Sequence, residues 1–307
     1  MPDTHSIASV TVAYNAAGVL PRQLEALRRQ TRKLDEIIVV DNASSDGTGD
    51  LLAREYPEVT VLPQSSNGGV GGGHAAGLEY AAHEKKHDWI WLLDQDSIPA
   101  GNSLERLIDG LNDFEEAEVT AILAPVCVHT ESQRGYSASL WRHGLHNPPS
   151  QGKERIREVD SVISSGSLLR REAVEEVGLP RADFFMDFVD HEYCLRLRRH
   201  GFKIAIVTDS QLEHEIGDNL EASVLGFKRN WTAHAPWREY YMARNEVFTI
   251  WKYFPDWRTK SNVGRRLLRH AVAILLFGQQ KIACLAMMAR GVADGRAGRL
   301  GIRYFEQ

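Results

Sequence analysis

The first two thirds of the chain alternate between short apolar runs and stretches whose apolar residues recur at helical spacing. Residues 36–40 (EIIVV) are rich in β-branched side chains, which is typical of a strand buried on both faces of a parallel sheet. Just before them, Leu20, Leu24 and Leu27 fall on one helical face. The alternation continues through residues 89–93 (WIWLL). It predicts an α/β domain with an open, mostly parallel central sheet.

The pattern changes in the last third of the chain. Residues 130–153 are polar and predict a long functional loop. From about Leu220 the pattern is wholly helical, so we predict a first domain over residues 1–235 and a helical extension over residues 236–307. The other predicted strands are residues 9–13, 59–62, 121–128, 159–169 and 202–207. The predicted helices are residues 20–30, 50–56, 75–83, 104–114, 170–177, 190–200, 238–253, 264–277 and 282–293.

The composition suits a globular protein with a large core, since 43% of the 307 residues are hydrophobic and 25% are charged. The three cysteines lack C-x-x-C spacing, which argues against a zinc site and against a disulfide framework. The chain begins without a basic segment followed by an apolar one, so we expect no signal peptide. These features predict a cytoplasmic protein, with the inner face of the cytoplasmic membrane as a further expectation.

The C-terminal extension differs from the rest of the chain in its charge. Residues 257–303 contain ten Arg or Lys and one acid, Asp294, whereas the whole chain carries a net charge of −5. Gln279, Gln280 and Lys281 interrupt the apolar residues 271–289, which makes a membrane span a poor fit. A pair of interfacial helices on anionic lipid would explain the pattern. Packing on the catalytic domain, or a homodimer, explains the apolar faces equally well. Few aromatic residues accompany the arginines, so we expect no nucleic-acid partner.

Two carboxylates, Asp94 and Asp96, follow the apolar run at residues 89–93. In α/β domains ligands collect at the carboxyl ends of parallel strands. Mg²⁺ usually binds through one or two carboxylates together with substrate phosphates. The D-x-D therefore predicts a site for a metal-bound nucleotide diphosphate. The alternative, that both acids are solvated loop residues, stays open.

Polar residues also follow the first two predicted strands. Residues 12–15 (VAYN) end the first strand, and Asp41 and Asn42 end the second. Because these strand ends are neighbours, their polar groups can meet one planar ligand. An acid such as Asp41 can accept a hydrogen bond from the N–H of a pyrimidine. Alternatively, Asp41, Asn42 and Ser44 only cap turns and the next helix.

A glycine-rich segment, residues 67–77 (NGGVGGGHAAG), allows the backbone to approach a ligand closely. Gly71, Gly73 and Ala76 fit the permissive dinucleotide-binding fingerprint. However, residues 63–67 separate these glycines from the preceding predicted strand, and the acids downstream arrive as a D-x-D. We therefore disfavour NAD binding.

Two further candidates lie near residue 200. Asp187 and Asp190 precede or begin a predicted helix, where the helix dipole keeps a carboxylate ionised and able to act as a general base. An ordinary N-cap is compatible with the same position. His214 follows the predicted strand at residues 202–207, and a lone histidine becomes a metal ligand only if it meets the D-x-D.

Taken in order, six segments resemble the family-two inverting glycosyltransferases, which have the GT-A, Rossmann-like nucleotide-binding fold. The likeness covers roughly residues 7–250 and is greatest to bacterial rhamnosyltransferases that use dTDP-L-rhamnose. The segments are AYN, VVDNASSDGT, NGGVGGG, LLDQDS, FMDFVDHEYCLRLRRHG and LEHEIGD. The resemblance implies donor-binding roles for Ala13, Tyr14, Asn15, Asp41, Asn42, Asn67, Gly72, Asp94, Gln95 and Arg244.

The resemblance also implies a reaction. Asp94, Asp96 and His214 would bind Mg²⁺ or Mn²⁺ on the donor diphosphate, where the metal neutralises the charge of the leaving group. Asp190 would deprotonate the acceptor hydroxyl of a glycan or polyprenyl-linked acceptor. A single displacement would then invert the anomeric centre. Arg244 would face a phosphate, with a surface salt bridge as the alternative.

Two features leave the donor open. The chain has His74 and Ala75 where relatives more often carry an asparagine, and the run NGGVGGG is also similar to galactofuranosyltransferases. Two other classes of protein fit the sequence less well than a transferase. A nucleotidyltransferase would need a basic loop near the N-terminus, yet residues 12–20 contain no Lys or Arg. A non-catalytic sugar-binding protein would not need the D-x-D, Asp190 and His214 together.

Overall fold

The computed structural model describes residues 5–128, 154–213 and 234–305, together with the backbone of strands at residues 135–136, 138–142, 145–147, 219–224 and 227–232. The chain divides into two compact units. The first unit comprises Met1–Leu140, Pro148–Ala182 and Asp190–Glu215, and the second comprises Trp141–Asn147, Asp183–Val189 and Ile216–Gln307. Compared with the predicted division after residue 235, the second unit also takes in residues 141–147, 183–189 and 216–235.

The strands and helices are numbered along the chain. The strands are β1 (Ile7–Ala13), β2 (Glu36–Asp41), β3 (Thr60–Pro63), β4 (Trp89–Asp94), β5 (Ile98–Pro99), β6 (Thr120–Val128), β7 (Gly135–Tyr136), β8 (Ala138–Arg142), β9 (Leu145–Asn147), β10 (Ile156–Glu158), β11 (Ser161–Val162), β12 (Leu168–Arg170), β13 (Lys203–Glu213), β14 (Asn219–Val224) and β15 (Phe227–Thr232). The helices are α1 (Leu20–Arg28), α2 (Thr48–Glu55), α3 (Gly69–Leu78), α4 (Ser103–Asp113), α5 (Arg171–Val177), α6 (Val189–Arg199), α7 (Pro236–Tyr253), α8 (Trp257–Phe277) and α9 (Lys281–Ala297).

The first unit is built on a mixed sheet with the strand order β10-β13-β6-β12-β4-β1-β2-β3. β1 pairs in parallel with β2 and with β4, β2 with β3, and β13 with β6, whereas β12 lies antiparallel between β4 and β6. The predicted mostly parallel α/β sheet is confirmed. The chain runs outward from β1 to β3 and then returns to β4 on the other side of β1. This reversal is a topological switch point, where open α/β sheets bind ligands.

Apolar side chains cover both faces of this sheet. On one face, Trp91 and Val39 pack with the α1 leucines and with Leu107 of α4. On the other face, Val10 and Ile90 pack with residues of α3, α5 and α6. The alternation of β-branched strands and amphipathic helices thus produces helices on both faces, as the sequence predicts.

The glycine-rich segment is already helical from Gly69, which corrects the prediction that the helix begins at residue 75. Helix α3 begins at Gly69 and continues as a π-helical turn over Glu79–Glu84. A Cβ on Gly73 would lie 2.5 Å from Val12 Cγ1, and a Cβ on Gly77 would lie 2.3 Å from Val10 Cγ1. These glycines therefore let α3 approach β1 more closely than any other residue would.

Three other predictions are corrected. The region after Leu220 is not wholly helical, because β14 and β15 pair as an antiparallel hairpin and helix begins again only at Pro236. The predicted loop at residues 130–153 contains the short strands β7, β8 and β9. The predicted strand at residues 159–169 is divided into β11 and β12. The helices that end the chain are present as α7, α8 and α9.

Helices α7 and α9 make the closest helix packing of the second unit among the described residues. A Cβ on Gly291 would lie 2.3 Å from the Tyr240 carbonyl oxygen, and a Cβ on Gly295 would lie 2.4 Å from that of Arg244. The Tyr240 hydroxyl donates to Asp294 Oδ2 across the same contact at 2.8 Å. Within the described residues, none of these helices is both long and apolar enough to cross a bilayer.

Candidate active site

The predicted site residues of the first unit follow the ends of β1, β2 and β4. In the sheet, Val12 pairs with Val40 on one side and with Asp94 on the other, and Ala13 pairs with Asp41. Asp41 and Asp94 therefore flank the end of β1 on its two sides. This arrangement coincides with the switch point, so the fold brings together two carboxylates that are far apart in sequence.

The loops after β1 and β2 are tied to each other. The Asn15 amide donates to Ser44 Oγ at 3.0 Å, and Asn15 Oδ1 accepts from the Ser45 amide at 2.9 Å. Asn15 adopts a left-handed conformation with φ 48°, which asparagine tolerates better than most residues. Asp41 Oδ1 accepts from the Ser44 amide at 3.0 Å. Asp41 therefore caps this turn, and the same contact orients its buried carboxylate at the strand end.

Asn42 and Asn67 connect β2 to the start of α3. Asn42 Nδ2 donates to the Gly69 carbonyl oxygen at 3.0 Å, and Asn67 Oδ1 accepts from the Gly69 amide at 2.8 Å. Asn42 Oδ1 is buried without a hydrogen-bond partner. A buried acceptor left unpaired costs about 1–3 kcal/mol, so it suits a ligand donor. A Cβ on Gly72, at the same helix start, would meet no atom within 4 Å.

The D-x-D turn is held in place by its backbone and by its central residue. Gln95 Oε1 accepts from the Tyr14 amide at 2.9 Å, which links the end of β4 to the end of β1. The Asp94 amide donates to Ser97 Oγ at 3.2 Å, and the Asp94 carbonyl accepts from Gln23 Nε2. The side chains of Asp94 and Asp96 are both partly exposed. Both carboxylates thus lie at the switch point, on a turn whose backbone is fixed.

The third predicted metal ligand, His214, lies outside the described residues. Among the residues that the structure describes, no three His, Cys, Asp or Glu side chains form a group that could hold a metal ion. Glu213, the residue before His214, pairs with Ile98, two positions after Asp96. Two carboxylates suffice for Mg²⁺ when substrate phosphates complete the coordination, so the D-x-D turn fits a metal bound with its ligand.

Asp190 lies in the first turn of α6, in the first unit. Its Oδ1 accepts from the His191 amide at 2.7 Å, and its side chain is partly exposed. The carboxylate thus lies at the N-terminus of α6, where a negative charge interacts favourably with the helix dipole. Asp187, the other acid before this helix, belongs to the second unit and forms an ion pair with Arg238 at 3.1 Å.

Sequence reasoning missed His74, which it noted only as a departure from relatives. Its imidazole is buried in α3, and its Nε2 has no hydrogen-bond partner. Burial lowers the pKa of His74 to about 4, and the negative charge of Asp190 partly opposes this. The imidazole is therefore neutral at pH 7 and lies within electrostatic reach of Asp190. Only its position in a glycine-rich segment could have drawn attention to it.

The structure corrects the prediction for Arg244. Its guanidinium is fully buried in the second unit, not on the surface. It donates to the carbonyl oxygens of Asp183 at 3.0 Å, Phe184 at 2.9 Å and Gly301 at 2.5 Å, and to Asn245 Oδ1. These contacts leave it joining three backbone segments, which is a structural role and neither the phosphate contact nor the surface salt bridge that was expected.

The chain is similar to proteins of known family. Residues 9–178 match the Glycosyl transferase family 2. The chain is 27% identical over 303 residues to dTDP-rhamnosyl transferase RfbF of Shigella flexneri, with 96% of this chain and 97% of that protein covered. It is 27% identical over 234 residues to galactofuranosyltransferase GlfT1 of Mycolicibacterium smegmatis, with 74% and 76% covered.

A solved structure shows the fold. The crystal structure of GalNAc-T7 with UDP, GalNAc and Mn²⁺ matches 97% of this chain with a TM-score of 0.64 at 15% identity. The match spans 57% of that longer chain. The expected GT-A fold is therefore confirmed.

Proposed function

This chain belongs to glycosyl transferase family 2 and is a hexosyltransferase, and we propose that it transfers L-rhamnose from dTDP-L-rhamnose. The acceptor would be a hydroxyl group of a glycan or polyprenyl-linked sugar in the synthesis of a cell-surface polysaccharide. The rhamnosyl donor is supported by the similarity to RfbF, which extends over nearly the whole of both chains.

The observation that carries the proposal is the meeting of three strand ends at the switch point. The register of β1 with β2 and β4 brings Asp41, Asp94 and the backbone of Tyr14 to one edge of the sheet. A nucleoside diphosphate has a planar base, a ribose and two phosphates, and needs acceptors and a cation along its length. This edge offers a carboxylate on either side of the β1 end, and Asn42 links the β2 end to the glycine-rich start of α3.

The donor would be held from base to phosphate along this edge. Tyr14, Asn15, Asp41 and Asn42 would bind the base and ribose, with Asn42 Oδ1 accepting a hydrogen bond that it lacks in the protein alone. Asn67 and Gly72, at the start of α3, would leave room for the sugar nucleotide, because no side chain fills the space beside Gly72.

Asp94, Asp96 and His214 are the residues that would hold Mg²⁺ or Mn²⁺. When bound, the metal would neutralise charge on the leaving diphosphate. Gln95 would keep the turn in position through its bond to the Tyr14 amide.

Asp190 would act as the general base. Its carboxylate would take the proton of the acceptor hydroxyl, and the acceptor oxygen would form a bond to the anomeric carbon. The bond from that carbon to the diphosphate oxygen would break on the opposite face, with the electron pair leaving on the diphosphate. The anomeric centre would be inverted in one step without a covalent enzyme intermediate.

A second donor is favoured by a specific observation. GlfT1 and RfbF have the same identity to this chain, although the match to GlfT1 covers about three quarters of it. The NGGVGGG segment is the part of the sequence that resembles galactofuranosyltransferases. A UDP-sugar, and galactofuranose in particular, is therefore the alternative donor.

Donor hydrolysis tests both forms of the proposal. The full chain would be incubated with dTDP-L-rhamnose, UDP-galactofuranose and UDP-glucose, with and without Mn²⁺, and nucleotide release measured. We expect metal-dependent release of dTDP to be fastest. Faster release of UDP from UDP-galactofuranose would favour the alternative donor. Thermal stabilisation by NAD alone, with no release from any sugar nucleotide, would refute the transferase assignment.

A further inference from the structure

Helix α8 has an exposed side on which apolar and basic residues are mixed. Leu268 is 66% exposed, Leu275 53% and Leu276 52%, and Val272 lies between them at helical spacing. Arg265 and Arg269 are exposed beside them. We call this side the α8 outer face; it consists of Arg258, Arg265, Leu268, Arg269, Val272, Leu275 and Leu276.

Single exposed leucines need no explanation, but an apolar row along a helix does. The row spans about two turns of α8, from Leu268 to Leu276. Trp257 begins the helix at 80% exposure, and Ile282 follows it at 86%. At 1.5 Å per residue the row itself is roughly 12 Å long, and Trp257 and Ile282 are exposed apolar residues that lie apart from it.

The inner side of α8 is already satisfied by α7. Arg266 forms an ion pair with Glu246 of α7, and His270 Nε2 lies 2.7 Å from Glu239 Oε2. Ile274 and Val263 are buried on the same side. The acids of α7 therefore compensate the inward-facing basic residues, and they leave the outer face uncompensated.

Helix α8 itself supplies no acid to the outer face. Residues 257–293 contain no Asp or Glu at all. Within the part of the chain that the structure describes, Arg258, Arg265 and Arg269 have no carboxylate within 4 Å. The outer face is therefore both apolar and positively charged.

We propose that the α8 outer face binds an anionic lipid surface, with its leucines inserted at the boundary between headgroups and acyl chains and its arginines on lipid phosphates. Apolar area and electrostatic attraction to anionic lipid act together in such helices. The proposal goes beyond the transferase reaction and does not depend on which sugar is transferred.

A second copy of the chain is a less suitable partner. In a two-fold symmetric dimer the same surface meets itself. Arg265 and Arg269 of one copy would then approach those of the other, with no acid on the face to separate them, and like charges in contact are costly. A nucleic acid would match the arginines but would leave the row of leucines in water. Anionic lipid matches both.

Sedimentation with vesicles tests the proposal on the full chain. Vesicles of phosphatidylcholine alone would be compared with vesicles that contain phosphatidylglycerol at low salt. We expect binding to the anionic vesicles and little to the neutral ones. The variant R258Q/R265Q/R269Q should bind the anionic vesicles roughly a hundredfold less well, since each basic residue near the surface contributes about a factor of five. The variant L268Q/L275Q should also weaken binding.

The matched control is R29Q/R54Q/K85Q, which removes three exposed cations from the first unit. It should bind as the wild type does. All variants should melt at wild-type temperature, because the altered side chains are exposed, and should hydrolyse the donor at the wild-type rate. The proposal would be overturned if the wild-type protein did not bind anionic vesicles. It would also be overturned if the control variant and the outer-face variants lost binding equally. A third outcome would also overturn it: a wild-type protein that forms a dimer and binds no vesicles, with the dimer lost in L268Q/L275Q. Failure of donor hydrolysis would leave vesicle binding unchanged, so the two proposals fail separately.

Discussion

Replacing Gly291 by alanine would add one methyl group at the closest approach between α9 and α7. The new Cβ would lie 2.3 Å from the Tyr240 carbonyl oxygen, 3.1 Å from the Arg244 amide nitrogen and 3.2 Å from Ala243 Cβ. Two of these three atoms belong to helical backbone, which cannot turn aside as a side chain can. To restore ordinary contact distances, α9 would have to move away from α7 by about 1 Å.

The magnitude follows from two opposing effects. Alanine in a helix interior is favoured over glycine by about 1 kcal/mol. Inserting a methyl group into a filled contact costs about 1–3 kcal/mol. The displacement also lengthens the 2.8 Å hydrogen bond from the Tyr240 hydroxyl to Asp294, which contributes about 1 kcal/mol. We expect the free energy of unfolding to fall by about 1–3 kcal/mol.

Gly264 supplies the matched control. It lies inside α8, it is exposed, and a Cβ there would meet no atom within 4 Å. Gly264→Ala should therefore raise the free energy of unfolding by about 0.5–1 kcal/mol. Urea unfolding followed by circular dichroism at 222 nm measures both variants. If Gly291→Ala were as stable as Gly264→Ala, the close packing of α7 on α9 would be wrong.

Three further predictions concern the candidate site. Asp190→Asn should lower kcat roughly a hundredfold to ten-thousandfold, because it removes the general base. Calorimetry should show unchanged donor affinity, and a loss of donor binding would assign Asp190 to the donor site instead. Asp96→Ala should abolish the Mn²⁺-dependent part of donor affinity, whereas Asp50→Ala, an exposed acid in α2, should not. His74 has a pKa of about 4 in the folded chain against 6.5 when unfolded, so the unfolded chain binds the additional proton between these values. Stability should therefore fall as the pH falls from 6.5 to 4, by up to about 3 kcal/mol, and His74→Leu should flatten that part of the profile in urea unfolding.

The sequence predicts the part of the site that depends on where strands end. An apolar run that stops at a carboxylate marks the end of β4 at Asp94, and the same reasoning identifies Asp41 at the end of β2. Both predictions use only local pattern and the rule that ligands gather at strand ends. The register that pairs Val12 with Asp94 and Ala13 with Asp41 could not be read in this way, because it depends on pairing between distant segments.

Features that depend on distant partners were missed. Glycines usually weaken a helix, so residues 69–74 pointed to a loop, yet the valines of β1 require glycine on the helix that covers them. Arg244 pointed to a ligand or a surface, yet its donors are taken by carbonyl oxygens of Asp183, Phe184 and Gly301, roughly 60 residues away on either side. The sequence around the glycines does not indicate the β1 valines, and the sequence around Arg244 does not indicate the carbonyl oxygens that it binds.

The C-terminal extension shows that even neighbouring residues can have partners that the sequence does not reveal. Arg265 and Arg266 are adjacent arginines, and both contribute to the positive charge of the C-terminal extension. On an α-helix, consecutive residues point about 100° apart. Arg266 is thereby directed at Glu246 of α7, where burial lowers its pKa to about 10, while Arg265 is exposed. Total charge thus overestimates what a partner can reach. Neutralising Arg266 would leave Glu246 buried beside α8 without its partner, so a loss of vesicle binding in that variant would report damage to the helix pair and not a lipid contact.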